Sequence, residues 1–168
     1  QYSHEPGSSA ISIGMGDCVT VYDLDGDGKA EVIVRTARGV TVTNAAGARV
    51  AAIAAANDTV QYISVFEGVT GVELARATLP NPYSSDGPLF GHMGVMYCDG
   101  MQPSVVYEGW NRVGSTYFNL NTTTWDYRHG ALTQRWTWNR GSQNAADFHQ
   151  IRIADVDHDG KDELCQGA

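Results

Sequence analysis

The sequence predicts an all-β protein assembled from repeated β-hairpins, on three observations: an acidic turn that occurs twice between alternating apolar flanks, a strand-favouring composition, and a recurring strand, turn, strand pattern. Gly is abundant at 19, Val, Thr and Tyr are frequent, and Lys29 and Lys161 are the only two lysines among 168 residues. β-branched and aromatic side chains suit a pleated, half-buried surface, and glycine suits the tight turns between strands. A hydrophobic fraction of 42% without any long apolar run excludes a transmembrane helix.

Taken in order, residues 1–17 open with QYSHEPGSSA, the composition of a flexible lead-in. CVTVYDLDGDGKAEVIV from Cys18, HMGVMYCDGMQPSVVY from His92 and HQIRIADVDHDGKDELC from His149 then form an internal repeat of two apolar strands around an acidic turn. Between them lie YISVFEGVTGVELARATL from Tyr62 and STYFNLNTTTWDYRHGALTQRWTW from Ser115, which alternate apolar and polar residues around Gly-containing turns. Each pair of hairpins supplies four antiparallel strands, the content of one β-propeller blade. Blade one is expected over 18–79, with strands near 18–23, 30–36, 60–66 and 72–78. The Pro- and Gly-rich LPNPYSSDGPLFGH reads as the connection, 80–91. Blade two follows over 92–140, with strands near 93–98, 103–109, 115–120 and 132–138, and blade three begins over 149–168. About two and a half blades are present where a closed ring uses ~4 to 8. The chain is therefore expected to be a fragment of a larger ring, whose open strand edges invite self-association.

The acidic turns carry the chemistry most legible in the sequence. In DLDGDGKAE the carboxylates of Asp23, Asp25, Asp27 and Glu31 fall at positions 1, 3, 5 and 9, with Gly28 at 6 for the sharp turn and the Lys29 carbonyl at 7. DVDHDGKDE repeats the pattern with Asp155, Asp157, Asp159, Gly160, Lys161 and Glu163. Hard oxygen ligands at this spacing wrap one calcium ion, so two calcium sites are expected. An EF-hand is excluded, because it needs Glu at position 12, where Val34 and Gln166 stand, and helices where these flanks alternate as strands. A solvated acidic turn without metal is the alternative. If calcium binds, its role is structural rather than catalytic.

Charge and cysteine content narrow the partners. The net charge is -8, yet eight of the 19 acidic residues are the candidate ligands of these two turns. The acidity is local, which fits cation sites and opposes nucleic-acid binding. Cys18, Cys98 and Cys165 show no CxxC spacing, so they suggest buried free thiols rather than zinc ligands. Asn57-Asp58-Thr59 and Asn121-Thr122-Thr123 are N-glycosylation sequons, relevant to a eukaryotic secretory route.

Five ordered segments, VYDLDGDGKAEVIVRTARG, YISVFEGVTGVEL, PSVVYEGWNR, ALTQRWTW and HQIRIADVDHDGKDE, together resemble the rhamnogalacturonan lyases of polysaccharide lyase family 11. The resemblance implies a secreted, extracellular rhamnogalacturonan endolyase with an eight-bladed, calcium-stabilised propeller, and a pectic polysaccharide as substrate. It also implies β-elimination: a cation neutralises the galacturonate carboxylate so that the C5 proton becomes acidic, and a base removes that proton. Arg112, in the segment that resembles the family's aromatic-rich turn ending in Arg, is the candidate carboxylate clamp; a guanidinium that keeps its proton is a poor base. Proton removal falls to Tyr, His or Lys. His149 and His92 begin repeats, His149 fitting the family pattern better, while a hydrogen-bonded strand histidine is the competing reading. Trp110, Tyr107 and Tyr83 can stack on sugar rings, or serve as packing between blades. The rival function is a non-enzymatic calcium-binding propeller that acts in adhesion, glycan binding or self-assembly.

Overall fold

The computed structural model describes residues 2–3, 19–56, 60–80, 89–113, 117–142 and 150–167. Every regular element among them is a strand, and every pairing is antiparallel. The all-β prediction therefore holds.

The first sheet contains β2 (Thr20–Tyr22), β3 (Glu31–Ala37), β6 (Gln61–Glu67) and β7 (Glu73–Thr78) in the order β2-β3-β6-β7. The second contains β8 (Phe90–Met96), β9 (Ser104–Val113), β10 (Tyr117–Arg128) and β11 (Ala131–Asn139) in sequence order, and β12 (Gln150–Ala154) pairs with β13 (Glu163–Gly167) in the third. The sheets follow one another in register: β2 lies against β8, β8 against β12, and the fourth strands β7 and β11 meet on the far side.

Alternation along the strands builds the contact between the first two sheets. Ile33, Ile63 and Val65 from one side meet Met93, Val105, Tyr107, Trp125 and Tyr127 from the other, with Leu24 and Leu79 closing the cluster. Burying a side chain of this size contributes about 1.5–3 kcal/mol, so the interface needs no further organising force. Two polar groups cross it. Arg35, 1% exposed, donates from Nη1 to the Leu89 carbonyl, and Gln61 accepts the Leu89 N–H at 3.1 Å. They fix the entry of the chain into β8.

An element the repeat pattern misses covers the opposite face of the first sheet. β4 (Thr41–Thr43) and β5 (Arg49–Ala52) form a hairpin whose Val40, Ile53 and Val42 pack on Val34 and Phe66. Its strands are short, three and four residues, so their alternation signal is weak. β1 (Tyr2–Ser3) pairs with β4, so part of the expected lead-in is strand. The connection predicted over 80–91 lies largely outside the described residues, and its final part belongs to β8. No helix among the described residues is long and apolar enough to cross a membrane.

Candidate functional site

The acidic turns stand at corresponding places, one between β2 and β3 and the other between β12 and β13. Each is shaped by its own side chains before any ion is considered. Asp23 accepts the Gly26 and Gly28 amides at 2.7 and 3.0 Å, and Asp155 accepts those of Asp159 and Gly160 at 3.1 and 3.0 Å. Gly28 and Gly160 at position 6 have φ of 85° and 89°, a left-handed conformation that glycine adopts without strain. The position-9 glutamates staple the far strand to the turn: Glu31 accepts the Leu24 N–H at 2.8 Å, and Glu163 accepts the Val156 N–H at 2.9 Å.

The turns also fit a hard cation. Carboxylate oxygens of Asp23, Asp25 and Asp27 lie within 4.8 Å of one another, as do those of Asp155, Asp157 and Glu163. Three negatively charged oxygens at that separation suit calcium, which takes oxygen ligands at about 2.3–2.6 Å. Burial pushes the Glu31 carboxyl up, the Leu24 amide opposes this, and the charges of Asp25, Asp23 and Asp27 push it further. A divalent cation in the turn reverses those like-charge contributions. The predicted sets are not reproduced whole. Glu31 stands outside the first cluster, and Asp159 stands outside the second, where it pairs instead with Lys161 Nζ at 2.9 Å. The Lys29 side chain reaches Asp27 at 3.6 Å.

The candidate substrate residues divide. Trp110 is half-buried and makes a tilted ring contact with His92, centroids 4.9 Å apart and planes at 44°, while Arg112, two residues along β9 on the same face, is exposed with its guanidinium 4.5 Å from the Phe118 ring. Tyr107 is 1% exposed within the core, its hydroxyl 3.4 Å from the Leu89 carbonyl. Its alternation places it on the face turned to the first sheet, so here the packing reading replaces the sugar-stacking one. His149 and Tyr83 lie outside the described residues.

The sequon at Asn121 is corrected by the structure. Asn121 is fully buried in β10, where Nδ2 donates to Thr137 Oγ1 at 3.1 Å and Asn139 Oδ1 at 2.8 Å, and Oδ1 accepts from Thr123. A glycan cannot be attached to a side chain so placed. Asn57 lies outside the described residues. Cys98 is half-buried and Cys165 exposed, both free, so neither shows the full burial expected of the thiols; Cys18 is outside the described residues.

One titratable residue escaped the sequence reading altogether. Glu108, in the middle of β9, is fully buried, and neither carboxylate oxygen has a hydrogen bond among the described residues. Its register partners are His92 and Thr122. Burial pushes its carboxyl up to about 8. Gln166 of β13, whose Nε2 donates to Thr122 Oγ1 at 2.7 Å, opposes the shift, but burial outweighs it.

Comparison with known proteins gives one consistent family. A family model described as "Rhamnogalacturonan lyase family 11, C-terminal domain" matches residues 15–168. The chain is 33% identical over 171 residues to "Rhamnogalacturonan endolyase YesW" and 32% identical over 168 residues to "Rhamnogalacturonan exolyase YesX", both of Bacillus subtilis (strain 168). Each match covers 88% of this chain, and the chain spans about a quarter of the relatives, 26% and 27% of their lengths. A solved Bacillus licheniformis rhamnogalacturonan lyase superposes with a TM-score of 0.74 and 31% identity, over 96% of this chain and 30% of that one.

Proposed function

This chain belongs to rhamnogalacturonan lyase family 11, and from that membership we propose that it is a calcium-stabilised part of a secreted rhamnogalacturonan endolyase, cutting the pectic rhamnose-galacturonate backbone by β-elimination. The observation that carries the reading is the family match across residues 15–168. In this reading the three sheets are successive propeller blades. Support comes from the first strands lying beside one another while the fourth strands meet on the far side, the arrangement of blades around an axis. The exposed side chains of Val19 and Val21 at the first sheet offer apolar surface against which a further blade would pack.

In this reading Arg112 clamps the uronate carboxylate, Trp110 stacks on a neighbouring ring, and His149 takes the C5 proton. Arg112 and Trp110 share one face of β9, and the Arg112 side chain is exposed, which suits contact with a polymeric substrate. Neutralising the carboxylate lowers the cost of the carbanion formed when the proton leaves, and the leaving oxygen at C4 then departs to give the unsaturated sugar. Calcium held by Asp23, Asp25 and Asp27, and by Asp155, Asp157 and Glu163, supplies structural charge neutralisation at the strand ends.

The test incubates the full-length protein with rhamnogalacturonan I and follows the ultraviolet absorbance of unsaturated uronates. Activity is expected, with medium-length products marking endo cleavage, and Arg112→Ala lowering kcat/KM about 100-fold. Binding of the polymer without any unsaturated product would overturn the lyase reading in favour of a glycan-binding propeller.

A further inference from the structure

The turn joining β8 to β9 occupies, in the second sheet, the place that the acidic turns occupy in the first and third, yet its sequence CDGMQP keeps a single carboxylate, Asp99. An acidic cluster is absent, and so is the electrostatic need for an ion. The carboxylate is nevertheless used as the leading aspartates are used. Asp99 Oδ1 accepts the Met101 and Gln102 amides, both at 2.9 Å, and closes the turn from within. Asp99 Oδ2 accepts from Arg135 Nη2 at 3.0 Å. The same guanidinium reaches Asp126 through Nε, at 3.0 and 3.1 Å to the two carboxylate oxygens, and Ser104 Oγ at the start of β9 donates to Asp126 at 2.6 Å.

How Arg135 comes to stand there is visible in the strand pairing. Thr124 opposes Trp136 and Trp125 opposes Gln134, so Arg135 is the extra residue of a β-bulge in β11. A bulge releases one side chain from the regular alternation and re-aims it. Here it sends a five-donor fork to two carboxylates on neighbouring strand ends. Both carboxyls are held below the usual range: that of Asp99 chiefly by the Gln102 and Met101 amides with Arg135 adding, and that of Asp126 against its burial by Arg135 and Ser104.

We propose that the β8–β9 turn is a metal-free counterpart of the two calcium turns, in which the bulged Arg135 provides the cation that the other two take from solution. The proposal rests on the calcium reading of those turns. It assigns the second sheet a built-in lock that persists when calcium is withdrawn. The lock also serves a neighbour: Asp162, in the second acidic turn, accepts the Tyr97 N–H at 2.7 Å and donates its own N–H to the Tyr97 carbonyl at 3.1 Å. A Cβ on Gly100 would stand 2.2 Å from the Gly160 carbonyl oxygen, so the two turns are in backbone contact. Tyr97 further carries its hydroxyl to that of Tyr22, beside the first acidic turn, at 2.9 Å. The metal-free turn thus sits between the two calcium turns and touches the strand ends of both.

Hydrogen exchange of the full-length protein, with calcium and with chelator, tests this in wild type, Arg135→Gln and Asp99→Asn. Chelation is expected to accelerate exchange in the two acidic turns while leaving the Met101 and Gln102 amides within about twofold of their calcium-loaded rates. Arg135→Gln is expected to speed those two amides about tenfold and to lower Tm by about 3 °C in both conditions. The variant carrying both substitutions is expected to fall little further than Arg135→Gln alone, because that substitution already removes the Asp99 contact together with the Asp126 one. Equal acceleration of all three turns on chelation, or unchanged Met101 and Gln102 exchange in Arg135→Gln, would overturn the proposal. If chelation alters no turn while Arg135→Gln still frees the middle one, the calcium reading fails and the arginine lock stands.

Discussion

Chelation of divalent cations is expected to lower the melting temperature of the protein by about 10–20 °C, and added calcium to restore it. In each acidic turn three carboxylate oxygens lie within 4.8 Å, and backbone amides satisfy them only in part. Without a cation the turns repel themselves, and the strand pairs they join lose their closure. A site occupied at a hundred times its dissociation constant adds about 2.7 kcal/mol, so two sites add roughly 5. For a protein of this size about 1 kcal/mol corresponds to roughly 2–4 °C. Magnesium should substitute poorly, since it demands a smaller, near-octahedral shell. A melting curve indifferent to chelator would remove the structural role assigned to both turns.

Glu108→Gln is expected to stabilise the protein by about 3 kcal/mol at pH 7 and to change it little near pH 4. The carboxyl is buried, Gln166 offsets that burial only in part, and its folded value is raised to about 8 from the ordinary 4.5. Between those values the unfolded chain has released the proton and the folded chain retains it, so stability falls as pH rises through this window, by about 1.4 kcal/mol per unit. Below about 4.5 both states are protonated and there is no penalty; above about 8 both are ionised and the loss is complete. Glutamine mimics the neutral acid and does not titrate. Denaturant melts of both proteins from pH 4 to 9 check this through their difference, which cancels the other titrating groups. Parallel curves would show that Glu108 is ionised in the fold.

Much of the architecture was legible because it repeats. Strands expected near 30–36, 60–66 and 72–78 are found at Glu31–Ala37, Gln61–Glu67 and Glu73–Thr78, where β-branched alternation and Gly turns agree. Position 6 of each acidic turn was readable for the same reason: only glycine sits easily at that φ. What escaped depends on contacts between sheets. The run NTTTW in β10 carries four polar residues, yet Asn121, Thr122, Thr123 and Thr124 are buried, with Asn121 and Thr123 bonded to Thr137 of β11. That burial extends β10 past the expected strand at 115–120 and removes Asn121 as a glycan acceptor. Arg35 and Glu108 are charged residue types at buried strand positions: Arg35 lies opposite Ile63 on the face packed against the second sheet, and Glu108 lies on the face of β9 turned away from Tyr107. Tyr107 belongs to the opposite case, an aromatic residue in a promising motif whose phase along β9 directs it into the core.

The most direct test of the account is a count of bound calcium by isothermal titration of the full-length protein and of its Asp23→Asn and Asp155→Asn variants. The account predicts that each substitution abolishes or strongly weakens one calcium site, with the other retained and the melting temperature lowered. Calcium uptake identical in wild type and both variants would contradict it.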